Sequence, residues 1–358
     1  MTDKTTSHRC QRGMSLVELM ISMAIGLIIL AGVTTIFVSN NKTRQELEKT
    51  SRQVENGRYA MQLLTEDLQM AGFLGTYVPP GTAPGLTALP NPCATDLATI
   101  DGARLLHIQG YDNPSSTTIS GLTCLSDVKS GTDILVVRRA STCAVGAAGC
   151  DAFLAGAPHL QVSGCLTDTA PASPYVPTGQ TTEPFYLFTT TANPPLRKVS
   201  CAVGATADVR RYRTHIYFIA NNNIGSDGIP TLKRAELGAD ATGATAMTIV
   251  PLVDGIENMQ FEYGIDSNND GTPDSYTADP SSGCSGNACV QNWWNAMAVK
   301  ISLLARNTQS TPGYTDSKTY TLGLDASGHA YTVTPGGSYR RHEYSSTVRL
   351  ANPAGRRP

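Results

Sequence analysis

Residues 14–38 form an apolar run of 25 residues, interrupted by one carboxylate, Glu18, and a few small hydroxyl side chains. As a helix rising 1.5 Å per residue the run covers roughly 37 Å, enough to cross the ~30 Å hydrocarbon core of a bilayer. Ahead of it residues 1–13 are short and polar, with Lys4, Arg9 and Arg12 against Asp3. Positive charge in front of an apolar run holds that end in the cytoplasm. An ordinary secretory signal has an apolar region of only ~7–15 residues that ends in a small-residue cleavage site, and no such site follows here. A plain signal anchor accounts for the length and the charge bias but not for Glu18. A carboxylate drawn to mid-membrane costs on the order of 2.5–3.5 kcal/mol, so it needs a partner or a function.

The stretch Arg12-Gly13-Met14-Ser15-Leu16-Val17-Glu18-Leu19-Met20 resembles the class III signal of type IV prepilins. That resemblance implies a membrane aspartyl protease, the prepilin peptidase, which cuts after Gly13 on the cytoplasmic side and methylates the new first residue, Met14. Many major pilins carry phenylalanine where Met14 stands. Glu18 would be the fifth mature residue, which in the family pairs with the terminal amine of a neighbouring subunit as helices bundle. The physical basis is that attraction is weakly screened among apolar helices while an unpaired carboxylate there is costly, so charge pairing sets the axial register.

Beyond residue 38 the apolar run gives way to Leu47, Val54, Met61, Leu64, Leu68 and Ala71, spaced by three, four and seven among polar residues. That spacing predicts an amphipathic helix continuing the first, so that one helix runs from about Met14 to Ala71 and Gly72 stops it. Gly26 and Gly32 weaken its membrane half and allow either local unwinding or close helix packing. The segment 56–75 (NGRYAMQLLTEDLQMAGFLG) resembles the PilW family of minor pilins in its GRYA, LxxDLxxAG and FxG pattern. Residues 211–221 (RYRTHIYFIAN), 231–237 (TLKRAEL), 252–266 (LVDGIENMQFEYGID), 297–307 (MAVKISLLARN) and 344–352 (YSSTVRLAN) follow that family's order. Residues 78–132 and 142–180 look particular to this chain.

The expected organisation is a leader at 1–13, a transmembrane or filament-core helix at 14–38, an amphipathic helix at 39–72 and a periplasmic or extracellular β-rich head at 73–358. Segments 133–138, 184–190, 196–201, 214–219, 259–263 and 298–304 are rich in β-branched or aromatic residues and bounded by Gly, Pro, Asn and Ser, which reads as strands. An antiparallel sheet packed on the distal helix follows, an α+β fold of type IV pilin-like architecture. The Pro- and Gly-rich stretches 79–92 and 171–184 read as surface loops or a seam between subdomains. With 41% hydrophobic and 16% charged residues among 358, the chain can bury a substantial core. A net charge of −2 gives no overall basic field, so direct nucleic-acid binding is not expected.

Nine cysteines are present and none forms a CxxC pair. Removal of Cys10 with the leader leaves Cys93, Cys124, Cys143, Cys150, Cys165, Cys201, Cys284 and Cys289. An even number in exported chain favours disulfides over zinc, with buried free thiols as the alternative. The pairs 284–289 and 143–150 span short loops and 93–124 and 165–201 come next, although eight cysteines leave 105 pairings open.

Asp266, Asn268, Asp270, Gly271, Thr272 and Asp274 have the D-x-N-x-D-G-x-x-D spacing of a calcium loop, in which alternate oxygens converge on one hard cation. Thr277 stands where an EF-hand has its bidentate glutamate, and a strand replaces the entering helix, so a full EF-hand is not expected. The resemblance to PilW proteins, which often carry an acidic loop after this segment, adds weight to Ca²⁺; the other reading is a polar, Asx-rich turn with no ion. Apart from that ion no cofactor is implied.

The HExxH, G-x-S-x-G, P-loop and GxGxxG motifs are absent, the histidines are scattered and the short basic runs read as solvated faces, so the chain is not expected to be an enzyme. The resemblance implies a minor pilin that primes or caps type IV pilus assembly. Its partners would be the prepilin peptidase, other minor pilins, the major pilin, the inner-membrane assembly platform and a large tip adhesin. It would sit in the bacterial inner membrane with a cytoplasmic N-terminus and periplasmic head, and later in the pilus. The alternatives are a type II secretion pseudopilin of the J class, whose head is usually smaller, and a membrane-anchored adhesin.

Overall fold

The computed structural model describes residues 13–79, 81–165, 168, 185–190 and 196–357. Residues 1–12, which make up the expected leader apart from Gly13, and the expected loop at 171–184 lie outside the described residues. The chain divides into two compact units, Met1–Ser51 and Arg52–Pro358, and helix α1 (Leu16–Gln69) crosses that boundary.

The second unit is built on antiparallel strands. Helix α2 (Leu97–Ala103), strand β1 (Ile108–Tyr111) and helix α3 (Ser116–Gly121) lead into β2 (Ile134–Ala140), β3 (His159–Val162), β4 (Phe185–Phe188), β5 (Val209–Ala220), β6 (Thr231–Ala239) and β7 (Thr245–Asp254). These seven strands make one sheet in which the long β5 is the hub, pairing with β2, β3 and β6. After a turn at Gly255 the chain enters β8 (Ile256–Ile265) and β9 (Ser275–Thr277), then helix α4 (Asn287–Trp294) and β10 (Ala296–Arg306). Strands β11 (Tyr320–Leu324) and β12 (Ala330–Val333) form a separate hairpin. Strand β13 (Arg341–Arg349) completes a second sheet in the order β13-β10-β8-β9, and α5 (Ala351–Ala354) follows.

The expected strands at 133–138, 184–190, 214–219, 259–263 and 298–304 correspond to β2, β4, β5, β8 and β10, with Pro184 outside the described residues. The expected strand at 196–201 is not one. Only Arg197 bridges to Thr206, and the Cys201 N–H turns back to the Lys198 carbonyl at 2.9 Å, with Cys201 at φ +51°. Val199 therefore stands exposed on a turn in spite of its β-branched side chain. The single expected sheet is two sheets and a hairpin.

The core of this unit gathers both sheets and the C-terminal turns of α1. Ala60, Leu64, Leu68 and Ala71 share one cluster with Leu135 and Tyr217 of the larger sheet and Met259, Phe261, Val299 and Ile301 of the smaller. The stripe expected from hydropathy is partly wrong, since Leu47 is exposed and Met61 only half-buried. The buried positions are instead Gln53, Gly57, Ala60, Leu64, Asp67 and Leu68, again at three- and four-residue spacing. Gln53 is polar yet buried because its Nε2 donates to the Ala305 carbonyl at 2.8 Å. Gly57 belongs inside the helix because the Tyr344 ring lies where a Cβ would be, so Gly57→Ala would collide with it. Gly72 ends the region at φ +70°, its N–H donating to the Arg138 carbonyl at 2.9 Å.

Asp67 is 5% exposed and wholly engaged. Arg139 Nε donates to its Oδ1 at 2.6 Å, Tyr217 donates its hydroxyl to Oδ2 at 2.8 Å, and His215 Nδ1 stands 2.7 Å from Oδ2. Burial alone would push this carboxyl up, but His215 and Arg139 outweigh it and hold it far below the ordinary 3.8.

Cys93–Cys124, Cys143–Cys150, Cys165–Cys201 and Cys284–Cys289 are disulfide-bonded, the four pairs that spacing placed first. Such cross-links restrict the unfolded chain, by about 2–4 kcal/mol each in typical cases.

Removing the Asp67 carboxylate takes its partner from the half-buried Arg139 and leaves the buried His215 and Tyr217 hydroxyl facing the gap. Asp67→Ala should therefore destabilise the protein by roughly 3–5 kcal/mol at pH 7, as read by denaturant unfolding. Because the folded carboxyl is depressed, its contribution is present above the unfolded value of 3.8 and fades as pH falls through the region below it. The wild-type melting temperature should drop more steeply than that of Asp67→Ala once the pH is taken below about 4; parallel curves would show that the pairing adds nothing to stability.

Candidate functional site

Residues 13–51 carry the expected processing and docking segment. Gly13, Met14 and Ser15 are not helical, and α1 begins at Leu16. The start is fixed reciprocally: the Val17 N–H donates to Ser15 Oγ at 3.3 Å, and the Ser15 N–H donates to Glu18 Oε2 at 3.1 Å. This is a variant of the capping box, with the hydroxyl accepting the second helical N–H in place of the third, and it satisfies N–H groups that a helix leaves unpaired at its first turn. The sequence reading gave Glu18 a partner only in a neighbouring subunit and overlooked Ser15. The signal was present, since a serine three residues before a glutamate at the head of an apolar run has the spacing of this cap.

Beyond the cap the helix offers lipid or other helices an uninterrupted apolar surface. Its most hydrophobic window reaches a mean hydropathy of 2.4 with no residue buried inside the molecule. Glu18 is the one charged side chain between Met14 and Asn41. Hydroxyls along the run fold back on the helix, Ser22 donating to the Glu18 carbonyl, Thr34 to that of Leu30 and Thr35 to that of Ala31, all within 2.8 Å. They therefore bring no unsatisfied donor into an apolar medium. Nothing lies within 4 Å of a Cβ built at Gly26 or Gly32, so neither glycine answers crowding within the chain.

The expected calcium loop joins β8 to β9. Asp266, Asn268, Asp270, Thr272 and Asp274 do lie together, but the carboxylates serve the loop itself. Asp266 accepts the N–H groups of Asn269 (2.6 Å), Asp270 (3.2 Å) and Gly271 (2.9 Å), with Arg357 Nε 3.9 Å away. Asp270 accepts the Thr272 hydroxyl and N–H, and Asp274 the Ser267 hydroxyl and N–H, which hold both carboxyls below the ordinary range. Asn269 and Gly271 have positive φ, the loop geometry that Asn and Gly tolerate. A cation would have to take over oxygens that now accept these bonds. Among the described residues no group of three or more His, Cys, Asp or Glu side chains is arranged to hold a metal.

The basic runs are not simple solvated faces. Arg341 is paired with Asp316 at 2.9 Å and with Glu257, its side chain only 3% exposed. Arg213 reaches Asp151, and Arg357 donates to Asn295 and the Trp294 carbonyl. Their charge is matched by groups distant in sequence, which a local charge count cannot register. His215, expected to be a surface or strand residue, lies on β5 and serves the Asp67 cluster.

A helix start that is apolar on all sides and capped by Ser15, two residues beyond Gly13, and by Glu18 fits a membrane-anchored pilin, and residues 8–34 match the prokaryotic N-terminal methylation motif. Residues 216–352, from within β5 to α5, match the model of the Type IV Pilus-assembly protein W family. Together the two matches support a PilW-type pilin, with the methylation motif at the start of the chain and the PilW model over the C-terminal part of the head. The GRYA segment at 56–75, which also suggested that family, falls outside both matched regions. Among solved structures, the type IV-like pilin TTHA1219 from Thermus thermophilus is similar at 13% identity, covering 85% of this chain and 98% of its own, with a TM-score of 0.33. That score is too low for the alignment to bear on residues or role. No curated protein matches the chain.

Because the loop carboxylates already have partners, the full chain should melt within about 1 °C of the same temperature in millimolar Ca²⁺ and in EGTA. A rise of about 5 °C or more in Ca²⁺ that is lost in Asp270→Ala would place the ion in this loop.

Proposed function

We propose that this chain is a minor pilin that primes or caps type IV pilus assembly by bundling its N-terminal helix with those of other subunits. The observation that supports this most directly is the exposed apolar start of α1 with Glu18 as its lone charge. In lipid that carboxylate is costly; beside the amine of a processed neighbour it gains a partner. A few subunits paired in this way before elongation would lower the cost of drawing the first helix out of the membrane. In this reading the prepilin peptidase removes residues 1–13 and methylates Met14, and the head stays on the periplasmic side until the subunit joins the filament. Other minor pilins, the major pilin, the assembly platform and a large tip adhesin are its partners. The role is structural, as in the pilin family as a whole.

Mass spectrometry of the protein recovered from membranes should find its N-terminus at methylated Met14. An intact Met1 would identify a simple anchor and remove this reading. Glu18→Ala should reduce surface pili at least roughly ten-fold while the protein still reaches the membrane; normal pilus numbers would contradict the docking role. A deletion strain that loses protein export and keeps its pili would point to a secretion pseudopilus instead.

A further inference from the structure

A peptide bond enclosed in a helix is a poor protease substrate, because its carbonyl and N–H are held in the backbone ladder and the neighbouring turns cover it. The bond after Gly13 is free of that constraint. The first backbone bond of α1 runs from the Leu19 N–H to the Ser15 carbonyl at 3.1 Å, and among the described residues the Gly13 and Met14 carbonyls accept no backbone hydrogen bond. What stops the helix there is local. Met14 is a good helix former, and the apolar run offers no breaker between it and Gly26. The interruption rests on Ser15 and Glu18, whose reciprocal bonds favour Ser15 as the boundary residue and keep helical geometry to its C-terminal side.

We propose that Ser15 is a positioning residue for leader removal. By capping α1 it presents the Gly13–Met14 bond as non-helical chain, one residue outside the first turn. This rests on the processing step of the reading above and assigns part of that step to a side chain other than the cleaved glycine. Met14 is 68% exposed and Gly13 is exposed as well, so among the described residues none is packed over the bond. It also gives Glu18 a task before it meets another subunit: in the single chain it closes the cap, and in the filament reading the same carboxylate is offered to a neighbouring amine.

The test uses full-length precursor in detergent micelles with purified prepilin peptidase, following loss of the first thirteen residues by mass. Ser15→Ala removes the accepting oxygen and should slow cleavage about five-fold, the scale of an N-cap's effect on a helix end. Ser15→Asp and Ser15→Asn differ from serine in shape and, for Asp, in charge, but both are strong N-caps, so both should restore the rate to within about two-fold of wild type. Backbone chemical shifts of Met14 and Ser15 in the uncleaved chain should move toward helical or averaged values in Ser15→Ala only. Cleavage of Ser15→Ala at the wild-type rate would overturn the proposal. So would Asp and Asn variants as slow as Ala, because the protease would then be reading the serine itself. If the wild-type chain is not cut after Gly13 at all, the pilin processing reading fails together with it, a result distinct from either variant outcome.

Discussion

The head is organised around a charged group that has no water to fall back on. Asp67 sits among buried residues of α1, next to Leu68 and one turn from Leu64, and it is satisfied only by side chains from strands of the larger sheet. Apolar side chains in a mixed cluster can slide past one another at little cost, whereas a carboxylate with three fixed partners cannot. The strip Ala60, Leu64, Leu68 and Ala71 supplies much of the burial; Asp67 decides where along β2 and β5 that strip comes to rest. Gln53 does the same for the smaller sheet, through the Ala305 carbonyl. The helix is thus indexed against both sheets by polar bonds and held to them by apolar area.

How much of this can be read from the sequence depends on the range of the interaction. The apolar run, the glycine that ends the helix and the β-branched strands at the centre of each sheet follow from local spacing, and the structure agrees with them; among the open cysteine pairings the structure has the four that spacing placed first. Strand β13 is harder, because its exposed, polar residues are those of an edge with one face to water, and its place is set by pairing with β10 rather than by any apolar alternation. The mistaken strand at 196–201 shows the converse: suitable residues without a neighbour to pair along their length make a turn. Long-range partners also explain why the burial of Gln53, Gly57 and Asp67 does not show in the local sequence, even where Gly57 and Asp67 belong to a motif. Each is required by a residue between 72 and 287 positions away, Arg139 for the aspartate, Tyr344 for the glycine and the Arg340 carbonyl for the glutamine.

The candidate site divides along the same line. Gly13, Met14 and Glu18 stand out in the sequence because the motif that carries them is short and contiguous, and residues 8–34 match the N-terminal methylation motif. Ser15 was legible in principle and was missed because the glutamate already had an assigned task in another subunit. The acidic loop at 266–274 keeps both of its readings. The same alternation of oxygen donors that can converge on a cation also suits a tight turn that spends those oxygens on its own N–H groups.

The disulfides carry a mechanical consequence. Each one joins residues no more than 36 apart, and none involves a residue of α1. The cross-links therefore stiffen individual loops without riveting the buried end of α1 to the sheets. Traction applied along that helix from its N-terminal side would be resisted first by the hydrogen bonds of Gln53 and Asn56 and last by the Asp67 cluster. Under such load the loops stay closed, because their cross-links lie outside the path of the force.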